Sequence, residues 1–259
     1  MTPIIRCLRS ESLKIKATPA LWLALCTAAL LPALNFLGAV FNAKDMIPPP
    51  GLNPWDLLLT RAWYHLGTLL LTLFAVLSTA LLVQTEYKAN TWKQVLVQPV
   101  PEWAVYTGKL ITTLLLTLFC LACFAGFSLI AGLLAGIIKP ELQFLHYTPS
   151  LFFILKAIVH SFVGLLGVLG MQYALALSFR NFVPPIGAGL AGFIVSIFLM
   201  GTKFKDFFPY TSPLLTASKL KSLSGRTLLL NEWMSIVFFG VAVIAGYFLF
   251  LRYAKKSGA

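Results

Sequence analysis

Charge is expensive inside hydrocarbon, so the longest stretches without Asp, Glu, Lys or Arg constrain this chain most. Six stand apart, at 17–43, 62–85, 110–138, 157–179, 181–202 and 233–251. Each runs for at least 19 residues, and the next longest, 142–155, has 14. About 20 apolar residues cross a bilayer core as a helix, whereas barrel strands are roughly half that length. Backbone groups in lipid must be satisfied internally, so runs of this size read as helices. The expectation is an all-α membrane protein with six transmembrane helices. The spans fall near 19–41, 63–85, 108–138, 153–178, 182–202 and 233–252.

Composition supports the bilayer: 59% of the 259 residues are hydrophobic and 11% charged, and the net charge is +12. A basic excess of this size suggests nucleic acid only when the bases gather on one solvated face. Here they lie between the apolar runs, where topology places Lys and Arg beside anionic headgroups, so no nucleic-acid role is expected. An even number of spans puts both termini on one side. With the loop between spans two and three and Arg180, that side carries eleven bases against nine opposite, favouring cytoplasmic termini.

Residues 1–18 mix Ile4, Ile5, Leu8, Leu13 and Ile15 with Arg6, Arg9, Lys14 and Lys16, which suits an interfacial helix; a disordered basic tail is the alternative. The uncharged run behind it is longer than a signal-peptide core, so it is expected to be retained. The segment 203–232, with five bases, reads as an extracytoplasmic loop.

Catalytic and metal patterns are missing from the sequence. Cys120 and Cys123 form a C-x-x-C within LLLTLFCLACFAGF, an apolar context that favours packing over thiol chemistry, and Cys7 and Cys26 imply no disulfide framework. His65, His146 and His160 form no H-E-x-x-H, and no pair of acids lies within a span. Gly108-Lys109 lacks the partners of a phosphate loop, since Trp103 and Leu110 stand where Gly and Ser or Thr are required. Leu223-Ser224-Gly225 faintly matches an ATPase signature, yet it stands in a loop placed outside, with Arg226 next, and reads as chance. No enzymatic activity and no cofactor of the chain's own are therefore expected. Secondary transporters place ionisable groups at mid-membrane, and these runs contain only His65 and His160. Energy would come from another subunit; a secondary transporter or channel working without one is the alternative.

The polar stretch 85–109 is studded with Trp92, Val95, Leu96, Val97 and Trp103. It suits a short amphipathic helix closed by Pro99 and Pro101, docking either on a soluble partner or on the membrane surface. Glu86, then Asn90-Thr91-Trp92-Lys93-Gln94, then Pro99-Val-Pro-Glu-Trp103, resembles the coupling-helix loop of ABC-2 type permeases, closest to the lantibiotic-immunity and bacitracin-resistance branch. Further matches are Glu11-Ser-Leu-Lys-Ile-Lys16, Phe179-Arg-Asn-Phe-Val-Pro-Pro-Ile-Gly187 and Phe208-Pro-Tyr-Thr-Ser-Pro213. The resemblance implies one transmembrane domain over 1–259, with a cytoplasmic coupling helix between spans two and three. It implies an exporter half in the bacterial inner membrane, paired with a second copy or a related permease. ATP and Mg would be bound by a separate ATP-binding subunit, contacted by Glu86, Asn90, Thr91, Trp92, Lys93, Gln94, Pro99, Trp103 and Arg180. The branch suggests an amphiphilic cargo such as an antimicrobial peptide or drug. It also implies that the segment before the last helix folds as short helices at the outer surface.

Overall fold

The computed structural model describes residues 3–16, 18–42, 47, 51–88, 101–179, 181–222 and 228–257. Within them the chain is helical, with no strand. The helices are α1 (Pro3–Lys16), α2 (Pro19–Phe41), α3 (Pro54–His65), α4 (Leu71–Lys88), α5 (Glu102–Ile138), α6 (Leu151–Ser178), α7 (Val183–Leu199), α8 (Ser212–Lys219) and α9 (Leu230–Ser257). Five segments are long and apolar enough to cross a membrane: Pro19–Phe41, Pro54–Gln84, Glu102–Ile138, Leu151–Ser178 and Leu230–Arg252. The sixth expected span falls on α7, whose 17 residues rise only about 26 Å, at the short end for a crossing of about 30 Å.

Start signals account for several helix boundaries. Asn53 caps α3 by accepting from the Trp55 amide at 3.0 Å, with Pro54 at the first helical position where no amide is required. Ser150 caps α6 in the same way through the Phe153 amide at 3.2 Å. Between α3 and α4 the chain passes through a π turn, Leu66–Leu70, so the two helices form one interrupted span. At 37 residues α5 is about 55 Å long, too long for the hydrocarbon core alone, and it begins at Glu102 rather than near 108.

Packing is inside-out relative to a water-soluble bundle. Trp22, Ile130, Phe198 and Ile244 are exposed, while Thr72, Ser78, Thr79, Thr113, Thr117 and Gln172 are buried between helices. Several of these hydroxyls donate back to their own helix, as Thr113 does to the Lys109 carbonyl at 3.0 Å and Thr117 to that of Thr113 at 3.0 Å. The central cluster joins α2 through Ala24 and Ala28, the interrupted span through Trp63 and Phe74, α5 through Leu121 and Phe124, and α6 through Leu165 and Leu169. Cys120 lies in this cluster and reaches the Ala24 carbonyl at 3.5 Å. The longest helix pairings are α9 on α6 and α2 on α5.

The segment between α7 and α9 forms the short helices and turns expected of it, and residues 209–217 are largely buried against the neighbouring helices. The seat for α8 is cut by small residues: an added Cβ at Gly164 would lie 2.7 Å from Thr216 Oγ1, and one at Gly67 would overlap Ala217 Cβ and the Pro213 carbonyl. Gly67→Ala is accordingly expected to cost about 1–3 kcal/mol of stability, because backbone rather than a flexible tip stands in the way. Thermal unfolding in detergent, compared with Gly240→Ala where nothing lies within 4 Å, checks it; equal midpoints would show that α8 is not seated there.

Candidate coupling site

One end of the bundle gathers α1, the end of α4, the start of α5 and the ends of α6 and α9. At its centre is Lys109, expected on the sequence to be a loop base but found in the second turn of α5 with 1% of its surface exposed. Its Nζ donates to Glu11 Oε2 at 3.1 Å and to the Leu82 carbonyl at 3.4 Å. Glu11, 7% exposed, also accepts from Lys14 Nζ at 2.8 Å. Burial alone would raise the Glu11 carboxyl, but the Lys109 and Lys14 ammonium groups outweigh it and hold the carboxyl below its ordinary value. A buried ammonium is tolerable only with such partners, so α1 is drawn onto α5 and α4 by charge pairing as well as by its apolar stripe. The approach is close: a Cβ at Gly108 would lie 3.0 Å from that of Cys7.

The same turn of α5 is tied to the opposite pair of helices. Tyr106 donates its hydroxyl to the Val243 carbonyl in α9 at 2.7 Å, and Tyr173 in α6 donates to the Tyr106 carbonyl at 2.7 Å. Edge contacts to Tyr173 and Tyr247, with ring centres 5.2 and 5.3 Å away, complete the cluster together with Phe250. The first turns of α5 are thereby bonded to α1, α4, α6 and α9.

Of the residues expected to contact a partner, Glu86 lies in the last turn of α4, and Trp103, 43% exposed, in the first turn of α5. The two residues thus bracket one connection at this end. Asn90, Thr91, Trp92, Lys93, Gln94, Pro99 and Arg180 lie outside the described residues, as does the amphipathic helix expected around them. Pro101 precedes α5 as its N-cap. Near Arg180, Gln84 in α4 donates to the Phe179 carbonyl at 3.5 Å.

A second polar cluster was not anticipated from the sequence. His160 in α6 places Nδ1 at 2.8 and 3.0 Å from the two carboxylate oxygens of Glu232, which is fully buried in the first turn of α9. A carboxylate only accepts, so the ring donates through Nδ1. Glu232 also accepts from the Leu229 amide at 2.9 Å, capping α9. Beside it, Asn231 donates to Thr216 Oγ1 at 2.9 Å and Ser212 Oγ at 3.1 Å. Ser235 bonds the Gly164 carbonyl at 3.0 Å and the Gly167 amide at 2.8 Å. Together these bonds join α6, α8 and α9. Glu232 was missed because it stands one residue before the last charge-free run, and His160 because nothing in sequence links it to an acid 72 positions away. With its amide turned so that both ends are paired, Gln172 donates to the Pro185 carbonyl at 3.1 Å and accepts from the Tyr210 hydroxyl at 2.7 Å, connecting α6 to α7.

A bundle of long apolar helices with buried polar ties, and with one connection left between α4 and α5, defines a multi-pass membrane protein. A family model described as ABC-2 family transporter protein matches residues 7–196, well over half of the chain. The chain belongs to the ABC-2 transporter family. It is thus a membrane transport component, the permease of an ABC transporter, and membership implies an ATP-binding partner subunit. No curated protein matches the chain.

Proposed function

We propose that the chain is one half of a bacterial exporter, driven by a separate ATP-binding subunit that docks on the connection between α4 and α5. The observation that carries this reading is the locking of the first turns of α5 by Lys109, Tyr106 and Tyr173 to four other helices. A partner pulling on Glu86, the 90–94 stretch, Pro99, Trp103 or Arg180 would move the bundle as a unit between states that bind cargo differently. In this reading α7 is the sixth span, α1 lies along the cytoplasmic headgroups, both termini are cytoplasmic and the membrane is the inner one. The exposed face of α7, including Ile194, Val195 and Phe198, supports pairing with a second copy or a related permease. An amphiphilic cargo, such as an antimicrobial peptide or drug, follows from the resemblance to the lantibiotic-immunity branch.

A secondary transporter is the second reading, favoured by the buried His160–Glu232 pair, because such carriers use ionisable groups within the membrane. Co-purification with the ATP-binding protein encoded beside this chain separates the two. With Glu86→Ala plus Trp92→Ala, the partner or its transport-linked ATP turnover is expected to be lost while the permease remains folded. Transport by the chain alone, unchanged in the double variant, would establish the second reading instead.

A further inference from the structure

A groove of about 570 Å³ lies between α1, the start of α2 and the third to fifth turns of α5. That volume is within the ~300–1,000 Å³ typical of small-molecule clefts. Its walls are mainly Ile5, Leu8 and Ile15 of α1, Leu21 of α2, and Leu115 and Phe119 of α5. Ile5, Leu115 and Phe119 remain about half exposed, so the groove opens sideways rather than into the bundle. In a bilayer such a wall is covered by hydrocarbon, since water there would forgo hydrogen bonds.

Charge identifies the occupant further. Helix α1 carries Arg6, Arg9, Lys14 and Lys16 against the single acid Glu11. That acid is engaged by Lys109 and Lys14, and by sequence the helix carries a net positive charge. Helical spacing sets positions 9 and 16 next to the stripe 5, 8, 12 and 15 that carries the groove residues of α1. We propose that this groove binds one acyl chain of an anionic phospholipid, with the lipid phosphate held by the bases of α1. A zwitterionic lipid offers the same chain but brings its own cation, so charge provides the discrimination. The proposal rests on the reading of α1 as a headgroup helix and is independent of the cargo and of coupling to ATP.

The test is native mass spectrometry of the full chain equilibrated with equimolar phosphatidylglycerol and phosphatidylcholine of identical chains. The wild type is expected to retain phosphatidylglycerol selectively. Ser12→Trp, at a groove position, fills the space and is expected to abolish retention, and Leu115→Asn provides a second variant at a half-exposed wall position. Arg9→Gln with Lys16→Gln leaves the named groove residues unchanged and is expected to lower the preference about 25-fold, each base near an anionic surface being worth about fivefold. Ile130→Trp, exposed further along α5, is expected to change nothing. Equal retention of both lipids by the wild type, or undiminished retention in folded Ser12→Trp and Leu115→Asn, would overturn the site. Loss of retention in Ile130→Trp as well would reduce the binding to a nonspecific lipid belt and overturn it equally.

Discussion

Glu232→Ala is expected to lower the stability of the purified permease by about 3–5 kcal/mol, the cost of removing one member of a buried, hydrogen-bonded pair. The carboxylate is fully buried, it receives both His160 Nδ1 and the Leu229 amide, and its neighbour Asn231 holds α8. Truncation strands a buried ring donor and removes the cap of α9 in one step. For a chain of this size the loss corresponds to a fall in thermal midpoint on the order of 10 °C. Glu232→Gln keeps an acceptor and is expected to lose less. Replacing both members together, His160→Leu with Glu232→Leu, should recover much of the loss, because the penalty lies in the orphaned partner rather than in the missing attraction. A double variant as unstable as Glu232→Ala would show that the pair is not the source of the effect.

Lys109→Ala is expected to produce the second large effect, about 3 kcal/mol, and to loosen α1 from the bundle. Lys109 is the only basic partner of Glu11 from another helix among the described residues. Lys14→Gln is expected to cost less than 1 kcal/mol, because that ammonium is 41% exposed and screened by solvent. Acid provides an independent check. Glu11 is held below its ordinary value of 4.5, so the folded state binds this proton less readily than the unfolded chain does. The resulting stability is complete above the ordinary value and declines as the pH falls from there through the depressed folded value. Glu11→Gln should remove that acid-dependent part while lowering stability at neutral pH. Unfolding midpoints measured between neutral and acidic pH decide it; the same acid slope in wild type and Glu11→Gln would refute the assignment.

The two effects concern opposite ends of the bundle. The Lys109 cluster sits where the connection between α4 and α5 enters, and the His160 cluster where α8 is folded in between α6 and α9. On the proposed docking of the ATP-binding subunit at that connection, Lys109→Ala is also expected to depress transport-linked ATP turnover in the assembled complex.

Most of the helical framework was legible in the charge-free runs, because excluding Asp, Glu, Lys and Arg from lipid leaves a one-dimensional record. That record places α2, α5, α6 and α9 within a few residues of their boundaries, except where a helix continues past the hydrocarbon. There the rule fails for a definite reason: α5 extends two turns beyond its apolar run, so Lys109 looks like a loop base although it is a buried helical one. The interrupted span from Pro54 to Gln84 was likewise only partly visible, since Asp56 and Arg61 lie within α3 and the charge-free run starts at 62, eight residues after the helix begins.

The sequence alone determines that this chain belongs in a bilayer, that it is helical, and which permease family its 85–103 motif resembles, all of which depend on local composition and spacing. Only the tertiary structure decides that Glu11 meets Lys109, that His160 meets Glu232, and that residues 209–217 are largely buried. Those pairings join positions 98 and 72 residues apart. Their physical reason is common to both: a polar group taken out of water must find its partner wherever the fold brings one, and sequence distance carries no record of which partner that is.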